Sequence, residues 1–147
     1  MKSLSFSCII NTPVEKVWST MLDHPTYEQW TEVFSEWSTY QWSWDAWAEI
    51  RFVGPSGEWM IAEIAENRLY EYVSIHHKAE IQRDDQKWGL QEFGYGDGGY
   101  ENYTFMKNSD GTTTLKVDMT NIPDEYVAMF EEIWPEALQI LKQLCEK

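Results

Sequence analysis

Histidine is the residue type best suited to bind a metal or move a proton near neutral pH, and two of the three histidines, His76 and His77, are adjacent. Apolar and polar residues alternate around them, which predicts a strand whose neighbouring side chains point to opposite faces. The two imidazoles therefore cannot bind one metal ion from that strand alone. On the inward face with Val73 and Ile75, His77 could hydrogen-bond a ligand. We favour a partly buried histidine satisfied by a backbone or hydroxyl group.

Acidic residues are abundant, but their spacing does not indicate catalysis or calcium binding. The pairs Asp84-Asp85 and Glu131-Glu132 lack the spacing of an EF-hand loop. Catalytic carboxylates need a fixed separation across a cleft, which adjacency does not supply. The sequence also lacks GxSxG, P-loop and HExxH motifs, and its glycine-rich run over residues 94–99 precedes a predicted strand rather than the helix that phosphate binding needs. We therefore predict no catalytic residues, no metal site and no cofactor, and we rank a binding protein above an enzyme.

The composition limits the class of protein. With 147 residues the chain has the size of one domain, and we predict a single domain over residues 1–147. A net charge of −14 would repel both nucleic acid and an anionic membrane, and no apolar run reaches the roughly 20 residues of a membrane span. The two cysteines, Cys8 and Cys145, have no metal-ligand spacing, which favours a reduced, cytoplasmic protein.

Hydrophobic periodicity predicts the order of the elements. A first strand alternates apolar residues over positions 4–10, and two short helices follow, the first starting near Pro13. Residues 35–81 then predict short strands separated by turns, and residues 83–99 predict a long polar loop. Further strands are predicted at residues 48–53, 58–66, 70–81, 100–107 and 112–120.

The C-terminal segment has the strongest periodicity. From Asp124 to Cys145, apolar residues recur at three- and four-residue spacing over about six turns, which predicts one long amphipathic helix. A long antiparallel sheet must curl, and this helix is the element able to cover its concave face. The sequence therefore predicts an α+β helix-grip fold. In it a curved antiparallel sheet of about six to seven strands wraps the long C-terminal helix, and two short helices follow strand one.

Four segments carry a family resemblance: NTPVEKVWSTMLDHPTYEQWTEVFSEWS, IRFVGPSGEWMIAEIAENRLYEYVSIHH, ENYTF followed by DGTTTLKVDM, and FEEIWPEALQILKQLCE. Across nearly the whole chain, the sequence resembles the START-like (SRPBCC) superfamily, in the branch similar to the activator of heat-shock-protein ATPase. That superfamily includes polyketide cyclases, lipid carriers and many ligand-binding domains. The resemblance implies the helix-grip fold, which often leaves a cavity between sheet and helix, but it implies function only by analogy.

Tryptophan is unusually frequent, with nine residues in the chain. Four of them, Trp37, Trp42, Trp47 and Trp59, stand where members of the resembled family typically have glycine, which we interpret as engineering rather than drift. Each indole adds about 150–250 Å² of ring surface, and a glycine position with positive φ would resist it. We expect the rings to fill the cavity or alter assembly, slightly ahead of forming a Trp-lined ligand pocket.

Two functions from different classes are compatible with these expectations. The first is a non-enzymatic carrier or binding protein that holds a small apolar molecule between the sheet and the C-terminal helix. The alternative is an engineered structural scaffold whose added tryptophans fill the cavity or produce a homodimer. Strand parity and the helix stripe predict these pocket residues: Phe52, Ile64, Ile75, His77, Tyr103, Phe105, Leu115, Val117, Phe130 and Trp134.

Overall fold

The computed structural model describes residues 2–34, 38–53, 59–84, 87–92 and 99–147. Its elements follow the predicted order of a strand, two short helices, a run of strands and one long helix. Along the chain they are β1 (Lys2–Ile10), α1 (Val14–Leu22), α2 (His24–Trp30), β2 (Tyr40–Trp42), β3 (Glu49–Val53), β4 (Trp59–Arg68), β5 (Tyr72–Asp84), β6 (Lys87–Glu92), β7 (Tyr100–Lys107), β8 (Thr113–Ile122) and α3 (Asp124–Cys145).

The strands form one curved, open antiparallel sheet. Seven of them are hydrogen-bonded in the order β1-β8-β7-β5-β4-β3-β2, and β6 pairs with β5 beside this path. Strands consecutive in the sequence are paired from β2 to β6 and from β7 to β8, whereas β5 also pairs with β7 and β1 pairs with the last strand, β8. The predicted helix-grip α+β fold is thereby confirmed.

The predicted polar loop over residues 83–99 is wrong in part. β5 extends to Asp84, and β6 pairs with its end, with Ile81 opposite Leu90. Strand pairing is made by backbone groups, so charged residues such as Asp84 do not end a strand by themselves. The alternation of Trp88 and Leu90 is the sequence signal for the missed strand.

α3 covers the concave side of the sheet because its apolar stripe is continuous, and it packs against β1, α1 and α2. The hydroxyl of buried Thr12 donates to the carbonyl of Cys145 at 3.2 Å and ties the end of α3 to the start of α1. Neither α3 nor any other helix in the described ranges is long and apolar enough to cross a membrane. The buried residues of the stripe are Trp134, Ala137, Leu138, Leu141 and Cys145.

α1 and α2 are locked together by a buried indole. Pro25 lies in the first turn of α2, where its missing N–H costs nothing. The same missing N–H leaves the carbonyl of Met21, four residues earlier, without its usual helical donor. Trp30 Nε1 donates to that carbonyl at 3.0 Å. The connection between the two helices is therefore fixed by a side chain that is also part of the core.

β7 begins beside a glycine that no other residue could replace without strain. Gly99 has a φ of 84°, and a Cβ there would lie 2.1 Å from the carbonyl oxygen of Thr120. Its own carbonyl accepts a hydrogen bond from the amide of His77 at 3.0 Å. This close approach of three strands places His77 of β5 next to Glu101 of β7.

The structure describes three of the four tryptophans that stand at expected glycine positions. Trp37 lies outside the described residues, and Trp42 ends β2. Trp47 is 76% exposed, so it does not fill the interior, and its φ of 69° falls in the left-handed region that favours glycine. Trp59 begins β4, where extended backbone accepts any side chain. Their origin by engineering stays a prediction.

Candidate ligand-binding site

The residues predicted to line a pocket are mostly core residues. Burial of large apolar side chains is what any core requires, so it does not by itself identify a binding site, and their role stays a prediction. Fully buried are Ile64, Ile75, Leu115 and Val117; nearly buried are Phe52, Tyr103, Phe105 and Trp134; partly buried are His77 and Phe130.

Ring contacts connect some of these predicted residues and separate others. Phe52 lies 6.2 Å from His77, and Tyr103 lies 6.4 Å from Trp134, measured between ring centroids. Phe105 instead packs against an indole of α1 at 5.0 Å. The contacts with His77 and Trp134 therefore mark one part of the concave side in which polar and aromatic side chains meet.

His77 points inward from β5 and faces a carboxylate. Its Nε2 lies 3.5 Å from Oε1 of Glu101, and 12% of the histidine side chain and 17% of the glutamate side chain are exposed. His76 instead stacks on Tyr100 at 4.2 Å, as the alternation along a strand predicts. The partner of His77 is thus a carboxylate rather than the backbone or hydroxyl group that we favoured.

Glu101 is shared by two side chains. The hydroxyl of Tyr103 donates to Oε2 of Glu101, while His77 faces the other oxygen. Burial, and after it the negative charge of Glu101, raises the pKa of Tyr103 well above its ordinary value of 10.0. The same two causes raise the pKa of Tyr27 on α2. Both phenols therefore remain neutral at physiological pH.

Trp134 brings α3 into contact with these groups. Its ring lies 6.4 Å from Tyr103 and 5.0 Å from Phe34, and the residue is 2% exposed. We call His77, Glu101, Tyr103 and Trp134 the polar cluster. It joins side chains of two neighbouring strands to one side chain of the covering helix.

Unpaired polar atoms distinguish the polar cluster from an ordinary core. Within the described ranges, three buried side-chain atoms have no hydrogen-bond partner: Ser38 Oγ, His77 Nδ1 and Trp134 Nε1. Two of the three belong to the polar cluster. Such atoms are nearly always paired in folded proteins, and each unpaired one costs about 1–3 kcal/mol. The polar cluster can therefore hydrogen-bond a group that does not belong to the described chain.

A second group of rings lies beside the polar cluster, and its two indoles are hydrogen-bonded within the chain. The indoles of Trp30 and Trp44 donate to the carbonyls of Met21 and Leu22 at 3.0 and 3.2 Å, and these carbonyls end α1. Contacting rings of the group have centroids 4.9–6.3 Å apart. This aromatic cluster consists of Tyr27, Trp30, Tyr40, Trp44 and Phe52.

Metal binding and thiol chemistry have little support in the described part of the chain. No group of three His, Cys, Asp or Glu residues there is arranged to hold a metal ion. Burial raises the pKa of Cys8, and it raises the pKa of Cys145 to about 11, so both thiols stay protonated at neutral pH. The groups that the polar cluster offers are hydrogen-bonding atoms and ring faces.

Sequence reasoning missed Glu101 and Tyr27. Glu101 has the same parity along β7 as Tyr103 and Phe105, which places it on the inward face. Its charge argued for the outward face, because carboxylates are seldom buried without a partner. Tyr27 was missed because α2 is too short for its apolar spacing to define a buried face.

The sequence matches one family across most of its length. The family model described as "Activator of Hsp90 ATPase homolog 1-like protein" matches residues 11–146. No curated protein matches the sequence. The match begins after β1 and ends with α3, so it includes every residue of the polar cluster and of the aromatic cluster.

Solved structures share the fold at low sequence identity. Protein MLL2253 from Mesorhizobium loti is 14% identical, with a TM-score of 0.70 over 97% of this chain and 96% of that chain. The Aha1 dimer from Colwellia psychrerythraea, a solution structure, is 13% identical, with a TM-score of 0.72 over 99% and 97%. DynU16, from the dynemicin biosynthetic locus, is 15% identical with a TM-score of 0.72, and this chain spans 48% of it. At these identities the likeness establishes the fold alone.

Proposed function

This chain belongs to the family of Activator of Hsp90 ATPase homolog 1-like proteins, and we propose that it is a non-enzymatic binding or carrier protein for a small, mainly apolar molecule. The molecule lies in a cavity between the sheet and α3 of a cytoplasmic protein. Ligand-binding proteins are common among START-like folds, which supports this class of function but does not identify the molecule.

The observation that carries the proposal is the unpaired indole N–H of Trp134. The residue is 2% exposed, and its Nε1 has no partner in the described part of the chain. A tryptophan that only filled the core would direct this donor to a carbonyl, as Trp30 and Trp44 do. A bound molecule would supply the missing acceptor while its apolar body contacts the rings of Phe34 and Tyr103.

Native mass spectrometry on freshly purified protein is the first test. We expect a population heavier than the chain by the mass of one small molecule, which is lost on denaturation. The same spectrum shows whether this chain forms a dimer, as the Colwellia protein does in its solution structure. Titration with N-phenyl-1-naphthylamine, an uncharged apolar dye, then reports on the site independently of any molecule that copurifies.

A variant that adds side-chain atoms beside His77 makes the dye titration specific. Ala62 is 1% exposed and lies directly opposite His77 in the pairing of β4 with β5. Ala62→Leu should reduce dye binding at least tenfold. Ala128→Leu adds the same atoms at an exposed position of α3 and should leave binding unchanged. Equal dye affinity in Ala62→Leu and the unmodified protein, with both folded by circular dichroism, would contradict the proposal.

A further inference from the structure

The polar cluster also indicates which kind of molecule binds, an inference that rests on the proposed function. Its two unpaired atoms come from opposite layers, His77 Nδ1 from β5 and Trp134 Nε1 from α3. Tyr103 and Glu101 connect them, through the 6.4 Å ring contact with Trp134 and the 3.5 Å approach to His77. One occupant that reaches both layers would satisfy both atoms.

In its neutral form, the imidazole of His77 presents a hydrogen-bond acceptor. Its Nε2 faces an oxygen of Glu101, and an ionised carboxylate can accept a hydrogen bond but cannot donate one. Glu101 therefore favours the neutral tautomer that carries its proton on Nε2, because the carboxylate would repel a lone pair on the nitrogen 3.5 Å away. Nδ1 keeps a lone pair, to which a hydroxyl group of the occupant would donate.

Trp134 presents a hydrogen-bond donor, in contrast to the acceptor on His77. The indole Nε1–H is a donor and never an acceptor, so it requires an oxygen such as that of a carbonyl. Phe34 and Tyr103 lie against the same indole, with ring centroids at 5.0 and 6.4 Å. These rings already contact the indole, so an occupant that reaches Nε1 would meet their remaining faces and edges, which favours a flat apolar body.

Charge narrows the class of molecule further. The chain carries a net charge of −14, and Glu101 places a carboxylate in the polar cluster itself, so an anion would be repelled both at long range and at contact. An ammonium group would suit Glu101, but it has no lone pair for the N–H of Trp134. An uncharged molecule with one donor and one acceptor meets both requirements.

We propose that the polar cluster recognises an uncharged, planar aromatic molecule that carries a hydroxyl group and a carbonyl group. The hydroxyl donates to His77 Nδ1, and the carbonyl oxygen accepts from Trp134 Nε1. Glu101 holds the imidazole through Nε2, and the hydroxyl of Tyr103 holds the carboxylate. Glu101 and Tyr103 are therefore positioning residues, whereas His77 and Trp134 touch the ligand.

Matched naphthalenes test this recognition in competition with the uncharged dye. The full probe is 6-hydroxy-2-acetylnaphthalene; the 6-methoxy ketone lacks the donor, and 2-ethyl-6-hydroxynaphthalene lacks the carbonyl. Each deletion should weaken binding about five- to tenfold, the ratio that one buried hydrogen bond supports. The anion 6-hydroxy-2-naphthoate should bind more weakly still. A methoxy ketone or a naphthoate that binds as tightly as the full probe would overturn the proposal.

Variants assign each probe group to its residue through affinity ratios, which do not depend on stability. His77→Phe should abolish the preference for the hydroxy over the methoxy ketone, and Trp134→Phe the preference for the ketone over the ethyl compound. The matched controls are His76→Phe, which alters the outward-stacked neighbour, and Trp44→Phe, whose indole N–H is already paired. Both should keep the two preferences.

The outcomes separate this inference from the proposed function. If all the naphthalenes, including plain 2-ethylnaphthalene, displace the dye with equal affinity, an apolar site exists but the polar cluster does not select its ligand, and the inference fails alone. If neither the dye nor any naphthalene binds, the proposed function fails, and the inference with it. Preferences that survive in His77→Phe and Trp134→Phe would also refute the assignment of the two residues.

Discussion

The aromatic cluster and the polar cluster adjoin each other, and they differ in how their polar atoms are satisfied. Phe52 contacts His77 at 6.2 Å, and Trp30 contacts Trp134 at 5.9 Å, so rings of the two clusters are neighbours. Trp30 donates its indole proton to the end of α1, as does Trp44. Within the described residues, Trp134 has no acceptor for the same group.

This difference shows that a high density of aromatic residues is not in itself evidence of a binding site. Rings that are buried and internally hydrogen-bonded stabilise the fold, and the aromatic cluster does so by completing the end of a helix. Rings whose polar atoms remain unpaired lower stability and offer those atoms to another molecule. The aromatic cluster and the polar cluster are therefore distinguished by which of their polar atoms are hydrogen-bonded, and not by their content of aromatic residues.

The largest effect is expected from removing the indole that joins the two clusters. Trp134→Ala should lower the free energy of unfolding by about 3–5 kcal/mol, the range for deleting a buried large aromatic side chain. Denaturant unfolding measures this difference. Tyr126→Ala on the same helix removes a ring that is 47% exposed and should change stability by less than about 1 kcal/mol. An unchanged midpoint in Trp134→Ala would show that the buried face of α3 is assigned wrongly.

The hydrogen-bond contrast itself is measured by two identical substitutions. Trp30→Phe and Trp134→Phe remove the same ring atoms from positions that are 1% and 2% exposed. Trp30→Phe also leaves the Met21 carbonyl without its donor, so it should cost about 1–2 kcal/mol more than Trp134→Phe. If the two substitutions lower the free energy of unfolding of the ligand-free protein equally, the N–H of Trp134 has a hydrogen-bond partner, and the two clusters do not differ in this respect.

Alkaline pH tests the electrostatic connection between the clusters. Tyr27 and Tyr103 belong to different clusters, and burial together with Glu101 raises the pKa of each. The unfolded chain loses these protons near pH 10, whereas the folded chain keeps them. The contribution of the neutral phenols to the free energy of unfolding is therefore complete below pH 10 and is lost as the pH rises above it. The loss should be about 1.4 kcal/mol per pH unit for each tyrosine. Tyr27→Phe should flatten the fall in stability between pH 10 and 11; an unchanged slope would contradict it.

Local periodicity predicted the elements better than it predicted the site. The stripe from Asp124 to Cys145 and the alternation of β1 each repeat over many residues, so single exceptions did not disturb the prediction. β6 was missed because its partner, the end of β5, is polar and its pairing is made by the backbone.

Residues of the candidate site could be predicted only where the alternation along a strand and the burial preference of the residue type both indicated the inward face. Parity placed His77 and Tyr103 on the inward face, where histidine and tyrosine are acceptable, and the structure confirms that position but not a binding role. Glu101 was not found, because a lone carboxylate is costly there unless two neighbours satisfy it. Those neighbours come from the register of β5 with β7, which depends on the close approach at Gly99 and is not visible along one strand.

The smallest effect is expected at a tryptophan outside both clusters. Trp47 is 76% exposed and has a φ of 69°, a conformation that costs an L-residue about 1–2 kcal/mol and glycine almost nothing. Part of the stability gained by relieving this strain is lost again, because glycine has more conformational freedom in the unfolded chain. Trp47→Gly should therefore raise the free energy of unfolding by about 0.5–1 kcal/mol and leave dye binding unchanged.

Trp59→Gly is the matched control for this substitution, since it makes the same exchange in a paired strand. Trp59 is paired with Val53 and Ile81 in extended backbone, where glycine relieves no strain and weakens the strand. Its stability should fall by about 1 kcal/mol or more, so the two tryptophan-to-glycine changes should have opposite signs in the same unfolding assay. If Trp47→Gly also destabilises, the exposed indole makes contacts that outweigh the backbone strain. Trp47 would then resemble the internally satisfied rings of the aromatic cluster in stabilising the fold.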